Sequence, residues 1–353
     1  MTDTILVSST RPGTGKTGIA IALAAIAQQR GHSVGYTKPK GTKLQSSVGK
    51  TLDKDPVVAR EVLGLDDELH EMEPIVYSPT FVDDAVRGRE DPDELRDRVV
   101  EAHEGIAADR DLVVVEGGDT HATGGVVELD DAALADLLDA ETVLVAGYDE
   151  MRDLDAVLAA ADALDESLVG VLFNAVADAD FDAVQTAAAP FLERRGVPVR
   201  GALPRRLAIA GVTVADLQRE LSAVRLTDAE GEGYVERFLV GAMGAESALA
   251  QFRRTKDAVV VTGGDRPEIQ RAAIEAPGVR AVVLTEGQEP PGAVISAAED
   301  RGVPLLLVDG DTLDTIDRLE RLIQGGRVPD ADTVDLIADL LRDHSDAPDL
   351  LPG

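Results

Sequence analysis

Cysteine and tryptophan are absent from this 353-residue chain, and aromatic residues make up only 3% of it. Without cysteine there is no disulfide and no thiolate metal site. No uninterrupted apolar run reaches the ~18 residues that a bilayer-spanning helix needs. The first residues, MTDTILVSSTRPG, have no basic segment and no apolar signal core, so secretion is not expected and a cytoplasmic location is. Positive charge is scarce: 34 Lys and Arg stand against 66 Asp and Glu, a formal net charge of -32. A surface this acidic repels phosphate backbones and anionic lipids, so neither nucleic acid nor membrane is an expected partner.

What is present describes a folded chain. The hydrophobic fraction, 44%, is normal for globular proteins and excludes global disorder. The length favours two domains. Abundant Asp, few aromatics and Arg in preference to Lys read as a halophilic composition, with a merely acidic mesophilic protein as the alternative. Molar salt shortens the Debye length to ~3 Å and makes the self-repulsion tolerable. Only seven of the basic residues are Lys, and Lys16, Lys38, Lys40, Lys43, Lys50 and Lys54 all lie near the N-terminus. Either this segment handles anions or it carries a solvated basic patch.

The first two hundred residues alternate apolar β-rich runs with helical patterns. Ile5 to Ser9, His32 to Thr37, Asp111 to Gly118, Glu141 to Gly147, Ser167 to Asn174 and Val197 to Pro204 read as strands. Lys16 to Arg30, with Gly31 as its stop, and Pro92 to Ala108 read as helices. Continuous Val/Leu/Ile runs between helices predict a parallel sheet covered on both faces. After Val214 the rhythm changes. Leu217 to Gly233 is acidic and Gly-rich and reads as a linker or an irregular pairing element. Four more strands follow, in ERFLVGAM, KDAVVVTGGDR, GVRAVVLTEG and GVPLLLVDGD, with helices after them, forming a second small α/β domain. Ala331 to Asp343 reads as a final helix before a tail expected to fray. The expected division is 1–214, 215–330 and 331–353.

Between the first strand and first helix lies SSTRPGTGKT, Ser8 to Thr17, in the context a phosphate-binding loop requires. Gly13 and Gly15 let the backbone curl so that successive N–H groups, Thr14 among them, point inward. These amides and the helix N-terminus, with Gly18 in its first turn, would bind phosphate oxygens. Lys16 would neutralise the β/γ charge, and the Thr17 hydroxyl would hold Mg²⁺. Thr10 stands where the usual first glycine would be. The loop resembles the variant phosphate loops of dethiobiotin synthetases and of ParA/MinD-like ATPases. The latter resemblance implies a signature Lys at the position of Arg11, where an Arg would touch phosphate in its own subunit or across a dimer.

Further motifs follow in the family's order. GYTKPKGTK (Gly35 to Lys43) resembles the GYxKPxxxG segment of dethiobiotin synthetase, which implies that Lys38 meets substrate near the transferred phosphate. A cation there orients an anionic acceptor and stabilises charge on the moving group. VVVEGGD resembles the family's VEGAGG segment, implying that Glu116 ligates Mg²⁺. The sequence then departs from the family at Asp119, Thr120 and His121, and His121 is open to an acid–base or a plain loop role. Asn174, in LFNAV, matches the residue that contacts adenine in the related ATPases. GALP, ending at Pro204, resembles the GxLP segment near the base.

The second half resembles the DRTGG domain, with VGAM at Val240 to Met243, GGDR at Gly263 to Arg266, and LTEG at Leu284 to Gly287 in place of LTGG. Gly263, Gly264, Asp265 and Arg266 sit where a strand gives way to a helix. They read either as a ligand site or as an Asp cap with Arg in the first turn. Such domains accompany dethiobiotin-synthetase-like domains ahead of phosphotransacetylase catalytic domains, and phosphotransacetylase activity itself is not expected of these residues. The resemblance therefore implies an ATP- and Mg²⁺-binding regulatory or accessory module linked to acetate or acyl-CoA enzymes. Its alternatives are an ATP-dependent ligase of dethiobiotin-synthetase type and a ParA/MinD-like ATPase. A homodimer or higher homo-oligomer is also implied.

Overall fold

The computed structural model describes residues 2–47, 50–229, 231, 233–241, 244–325 and 329–352. They form two compact units, one of Met1–Arg205 with Val328–Gly353 and one of Arg206–Arg327.

The first unit begins with β1 (Asp3–Ser9), α1 (Lys16–Gln29) and β2 (Val34–Thr37). Short pieces follow: β3 (Lys40–Gly41), the antiparallel pair β4 (Leu44–Ser47) and β5 (Lys50–Asp53), α2 (Lys54–Leu63), α3 (Leu69–Met72), β6 (Ile75–Val76) and α4 (Pro79–Val86). The alternation resumes with α5 (Pro92–Ala107), β7 (Leu112–Glu116), α6 (Asp131–Leu138), β8 (Glu141–Ala146), α7 (Leu154–Leu164) and β9 (Leu168–Val176). α8 (Phe181–Ala183) runs through a π-helical turn into α9 (Ala189–Glu193), and β10 (Val199–Pro204) closes the series.

Six strands lie in the order β10-β9-β8-β1-β7-β2, all parallel. Their centres are buried on both faces, which is why they read as unbroken apolar runs rather than alternating ones. The chain leaves β1 for the β2 side and later returns to build β8 on the other side. Open α/β sheets place ligands at such a switch point, beyond the carboxyl ends of the strands.

The second unit contains α10 (Leu207–Ala210), α11 (Val214–Glu220), β11 (Val224–Arg225), β12 (Arg237–Val240), α12 (Ala245–Phe252), β13 (Ala258–Gly263), α13 (Pro267–Ile274), β14 (Val279–Thr285), α14 (Gly292–Arg301), β15 (Leu305–Leu307) and α15 (Thr312–Gly325). Its sheet runs β11-β15-β14-β13-β12. Strands β12 to β15 are parallel and in sequence order, so right-handed crossovers put α12, α13 and α14 on one face. Phe252, Ile269 and Val294 pack there on Val260, Val282 and Leu284. Leu217 and Leu319 cover the opposite face over Val259, Val261 and Val283. The segment expected as linker or pairing element supplies the end of α11 and the antiparallel edge strand β11. Its Glu230 and Glu232, like Ala242 and Met243 of the VGAM segment, lie outside the described residues.

α16 (Ala331–His344) belongs to the first unit. The reason is legible in α1, whose Ile19, Ile21, Leu23 and Ile26 are buried on all sides of the helix. A helix apolar all round needs cover all round. The sheet covers one side, and α16 packs on α1 with a stripe of Val334, Ile337, Ala338 and Leu341. The tail after it, expected to fray, is held in place among the described residues. Arg30 donates to the carbonyl of Pro348 at 2.7 Å, Asp346 N donates to Arg200 O at 2.8 Å, and Ala347 and Leu351 are buried. Among the described residues no helix is long and apolar enough to cross a membrane.

Candidate functional site

β1 ends in Ser8 and Ser9, and the chain turns through Thr10 to Gly15 before α1 begins. Thr10 N donates to Val145 O at 3.2 Å, which fixes the loop's first step against β8. Gly13 and Gly15 adopt φ of 75° and 81°, the left-handed region that glycine enters without strain. A side chain at Gly15 would also collide with Asn174, whose Nδ2 donates to the carbonyl of Thr14 at 2.7 Å. Asn174, expected at adenine, is thus placed against the loop itself. Pro204 pairs with Val176 at the same end of the sheet. The Thr14 hydroxyl is buried with no partner among the described residues. Arg11 lies over Gly147 and pairs with Asp149 of its own chain at 2.6 Å, both side chains being exposed. Gly18 presents its Cα to Ile337 and Pro329, not to the loop.

Lys16 is buried and points across the loop to β7's end, where its ammonium donates to the carbonyls of Gly117, at 2.8 Å, and Gly118. Among the described residues it forms no ion pair. Burial holds its pKa below the ordinary lysine value, and the Glu116 and Asp131 carboxylates offset only part of that. This is a cation kept out of water without a contacting counter-ion.

Thr17 donates to Glu116 Oε1 at 2.9 Å and accepts from Lys43 Nζ at 3.1 Å. Glu116 is fully buried and also accepts from the Tyr36 hydroxyl. Burial pushes its carboxyl up, against the pull of Lys38, and pushes the Tyr36 hydroxyl well up too. Lys38 is buried with its ammonium 2.7 Å from Asp53, in contact with Asp55, and 3.7 Å from Glu116. Burial disfavours its charge, but the three carboxylates outweigh that and raise its pKa. Burial likewise opposes ionisation of Asp55, yet the Lys38 and Lys43 ammoniums hold it well below the usual carboxylate range.

Asp53 organises this corner. It caps α2 by accepting from Asp55 N and also accepts from the amides of Thr42 and Lys43, each at 2.8 Å. Glu73 accepts from Asp53 N at 2.7 Å with one oxygen, while its other oxygen is buried with no partner among the described residues. Burial, with Asp53 alongside, pushes its pKa up to about 7. Asp131 anchors the opposite wall. It accepts from Ser8 Oγ at 2.7 Å, Gly118 N at 3.1 Å and the fully buried Lys40 at 3.1 Å. Gly117 is glycine because a Cβ there would sit 2.2 Å from that carboxylate. His121 joins the wall through its backbone, to Ser9 O and Asp131 N, and its Nδ1 is buried without a partner among the described residues.

Lys16, Thr17, Lys38 and Glu116, expected from sequence, therefore meet in one cluster. Asp53, Asp55, Glu73 and Asp131 were not expected there. The one signal for Asp53 and Asp55 is the DKDP start of α2, an Asp before a helix with Pro in its first turn. The hydroxyl of Thr17 and the carboxylates of Asp55 and Glu116 are oxygen donors of the kind Mg²⁺ takes. Among the described residues no three His, Asp or Glu side chains form a metal site by themselves.

In the second unit, Gly263 and Gly264 end β13 and turn toward α13. Their carbonyls accept from Gln270 Nε2 at 2.8 and 3.0 Å, and Arg266 donates to Gly241 O. The cap position of α13 is Arg266, without a side-chain bond to the helix, so Asp265 is not the cap. Gly264 packs against Gln288 O so closely that no Cβ fits.

Residues 3–213 match the AAA domain family AAA_26, and residues 216–322 match the DRTGG domain. The chain belongs to the AAA_26 family. The AAA_26 and DRTGG domains together are similar to phosphate acetyltransferase of Pseudomonas putida, 24% identical across 98% of this chain and 51% of the relative. The chain thus spans about half the length of that relative. The chain is also similar to the ATP-dependent dethiobiotin synthetase of Frankia casuarinae, 34% identical across 40% of this chain and 54% of that one. Among solved structures, the MinD cell division protein of Aquifex aeolicus matches with a TM-score of 0.34 at 15% identity, covering 58% of this chain and 83% of that one.

Proposed function

We propose that the AAA_26 domain binds ATP and Mg²⁺, and that the protein acts as a regulatory or accessory module for an enzyme of acetyl phosphate or acyl-CoA metabolism. Lys16 carries the reading. An ammonium buried beside a curled glycine loop, held only by two carbonyls, gains a counter-ion when a phosphate enters. Backbone amides from Gly13 to Thr17 would line the phosphates. Thr17, Asp55 and Glu116 would hold the metal, which would neutralise phosphate charge. The similarity to phosphate acetyltransferases supports the choice of partner.

A ligase of dethiobiotin-synthetase type is the second reading, favoured by Lys38 lying in the same cluster. In that reading the Lys38 ammonium has to turn from Asp53 and Asp55 toward an acceptor. The two readings separate in an ATP-hydrolysis assay in molar KCl with and without 7,8-diaminopelargonate and bicarbonate. The regulatory reading expects no substrate-dependent ADP release, and expects ATP-dependent co-purification with phosphate acetyltransferase activity. ADP release that requires both substrates overturns it in favour of the ligase.

A further inference from the structure

The side chain of Lys43 lies where the proposed metal would lie. Its Nζ is 2.9 Å from Asp55 Oδ2 and 3.1 Å from Thr17 Oγ1, the hydroxyl that in turn donates to Glu116. These are hydrogen-bond distances from an ammonium to the oxygens that a loop-bound Mg²⁺ would take at about 2.0–2.1 Å. The backbone at Lys43 is pinned, because its N donates to Asp53 Oδ2 at 2.8 Å. Its side chain is 37% exposed, on a flexible four-carbon stem.

Like charge sharpens the point. The Lys38 and Lys43 ammoniums already lie against Asp53, Asp55 and Glu116, and Lys43 holds the Asp55 oxygen that the metal would need. A divalent ion added to that set would sit against an ammonium of like charge in a buried corner, an unfavourable arrangement. One cation has to leave for the other to enter.

We infer that Lys43 is a tethered cation occupying the metal position, and that it sets the site's dependence on divalent ions by competing with Mg²⁺ for Thr17 and Asp55. This rests on the reading of Thr17 and Asp55 as the metal side of a nucleotide pocket. With Lys43 seated, phosphate charge is met by a built-in monovalent cation. With Lys43 withdrawn, the same oxygens accept the metal.

The test is Mn²⁺ binding to the full chain, followed by electron paramagnetic resonance in molar KCl, first without nucleotide and then with ATP. The variants are Lys43→Met, Lys43→Gln, Lys43→Arg and Lys43→Met/Asp55→Asn, each checked for its unfolding midpoint. Lys43→Met and Lys43→Gln should bind one Mn²⁺ at least ~tenfold more tightly than the parent protein, about 1.4 kcal/mol. Lys43→Arg should stay weak, and Asp55→Asn should abolish the gain. With ATP, the parent should need a higher Mg²⁺ concentration than Lys43→Met to reach its full nucleotide affinity. Equal Mn²⁺ affinity in the parent and in both neutral variants overturns the inference, as does a gain that survives Asp55→Asn. If the Mn²⁺ results hold and no protein takes up ATP, the nucleotide reading fails and the assignment of Lys43 stands.

Discussion

Asn174 donates from Nδ2 to the carbonyl oxygen of Thr14 across 2.7 Å, tying the end of β9 to the phosphate loop. The bond sets the loop's shape before any ligand arrives, and Gly15 leaves the space for it. Asn174→Asp replaces the donor with an acceptor and a negative charge facing a carbonyl. It should cost about 1 kcal/mol of stability and weaken anion uptake by the loop. Thermal unfolding and ATP titration of the variant check both effects.

Glu73 predicts a pH dependence. Its folded pKa, about 7, lies above the usual glutamate value of 4.5. The folded state therefore binds this proton more tightly than the unfolded chain does. The stabilising contribution is complete below pH ~4.5 and is lost as pH rises through about 7. Glu73→Gln keeps an oxygen for Asp53 N and removes the titration. Relative to the parent, it should gain about 1 kcal/mol in stability from pH 5 to pH 8, after allowance for solvent screening. Denaturant unfolding at the two pH values measures the difference.

Asp131 and Lys40 form a pair with both side chains fully buried. Removing one partner leaves a buried charge uncompensated, so Asp131→Asn should cost about 3–5 kcal/mol. Lys40 also donates to the carbonyls of Thr123 and Leu129, which hold the loop after β7. Adding Lys40→Met to Asp131→Asn should recover part of the loss, since no unpaired charge then remains. Chemical unfolding of the single and double variants tests this.

The sheet was legible because parallel strands buried on both faces carry unbroken apolar runs, as in the ILV of β1, the LVVV of β7 and the VLVA of β8. The region from 40 to 91 was not. Its strands are two to four residues long and are held by side chains such as Asp53 and Glu73 bonding to backbone amides. Such contacts leave no periodicity. The site divides in the same way. Lys is rare enough in this chain that Lys16 and Lys38 stand out, and both fall in the cluster. Asp and Glu total 66, so nothing marked Asp53, Asp55 or Glu73 among the solvated carboxylates. The final helix was read from the sequence at Ala331 to Asp343. Its seat was written elsewhere, in the all-round apolar sequence of α1.

Lys16 supplies the most direct test. Calorimetry in molar KCl should detect one ATP per chain for the parent protein and at least ~100-fold weaker uptake, about 2.7 kcal/mol, for Lys16→Met. The variant should unfold no earlier than the parent without nucleotide, because it discards a buried ammonium that has no contacting carboxylate. Unchanged ATP uptake by Lys16→Met, or no uptake by the parent, would contradict the assignment of this loop to a nucleotide.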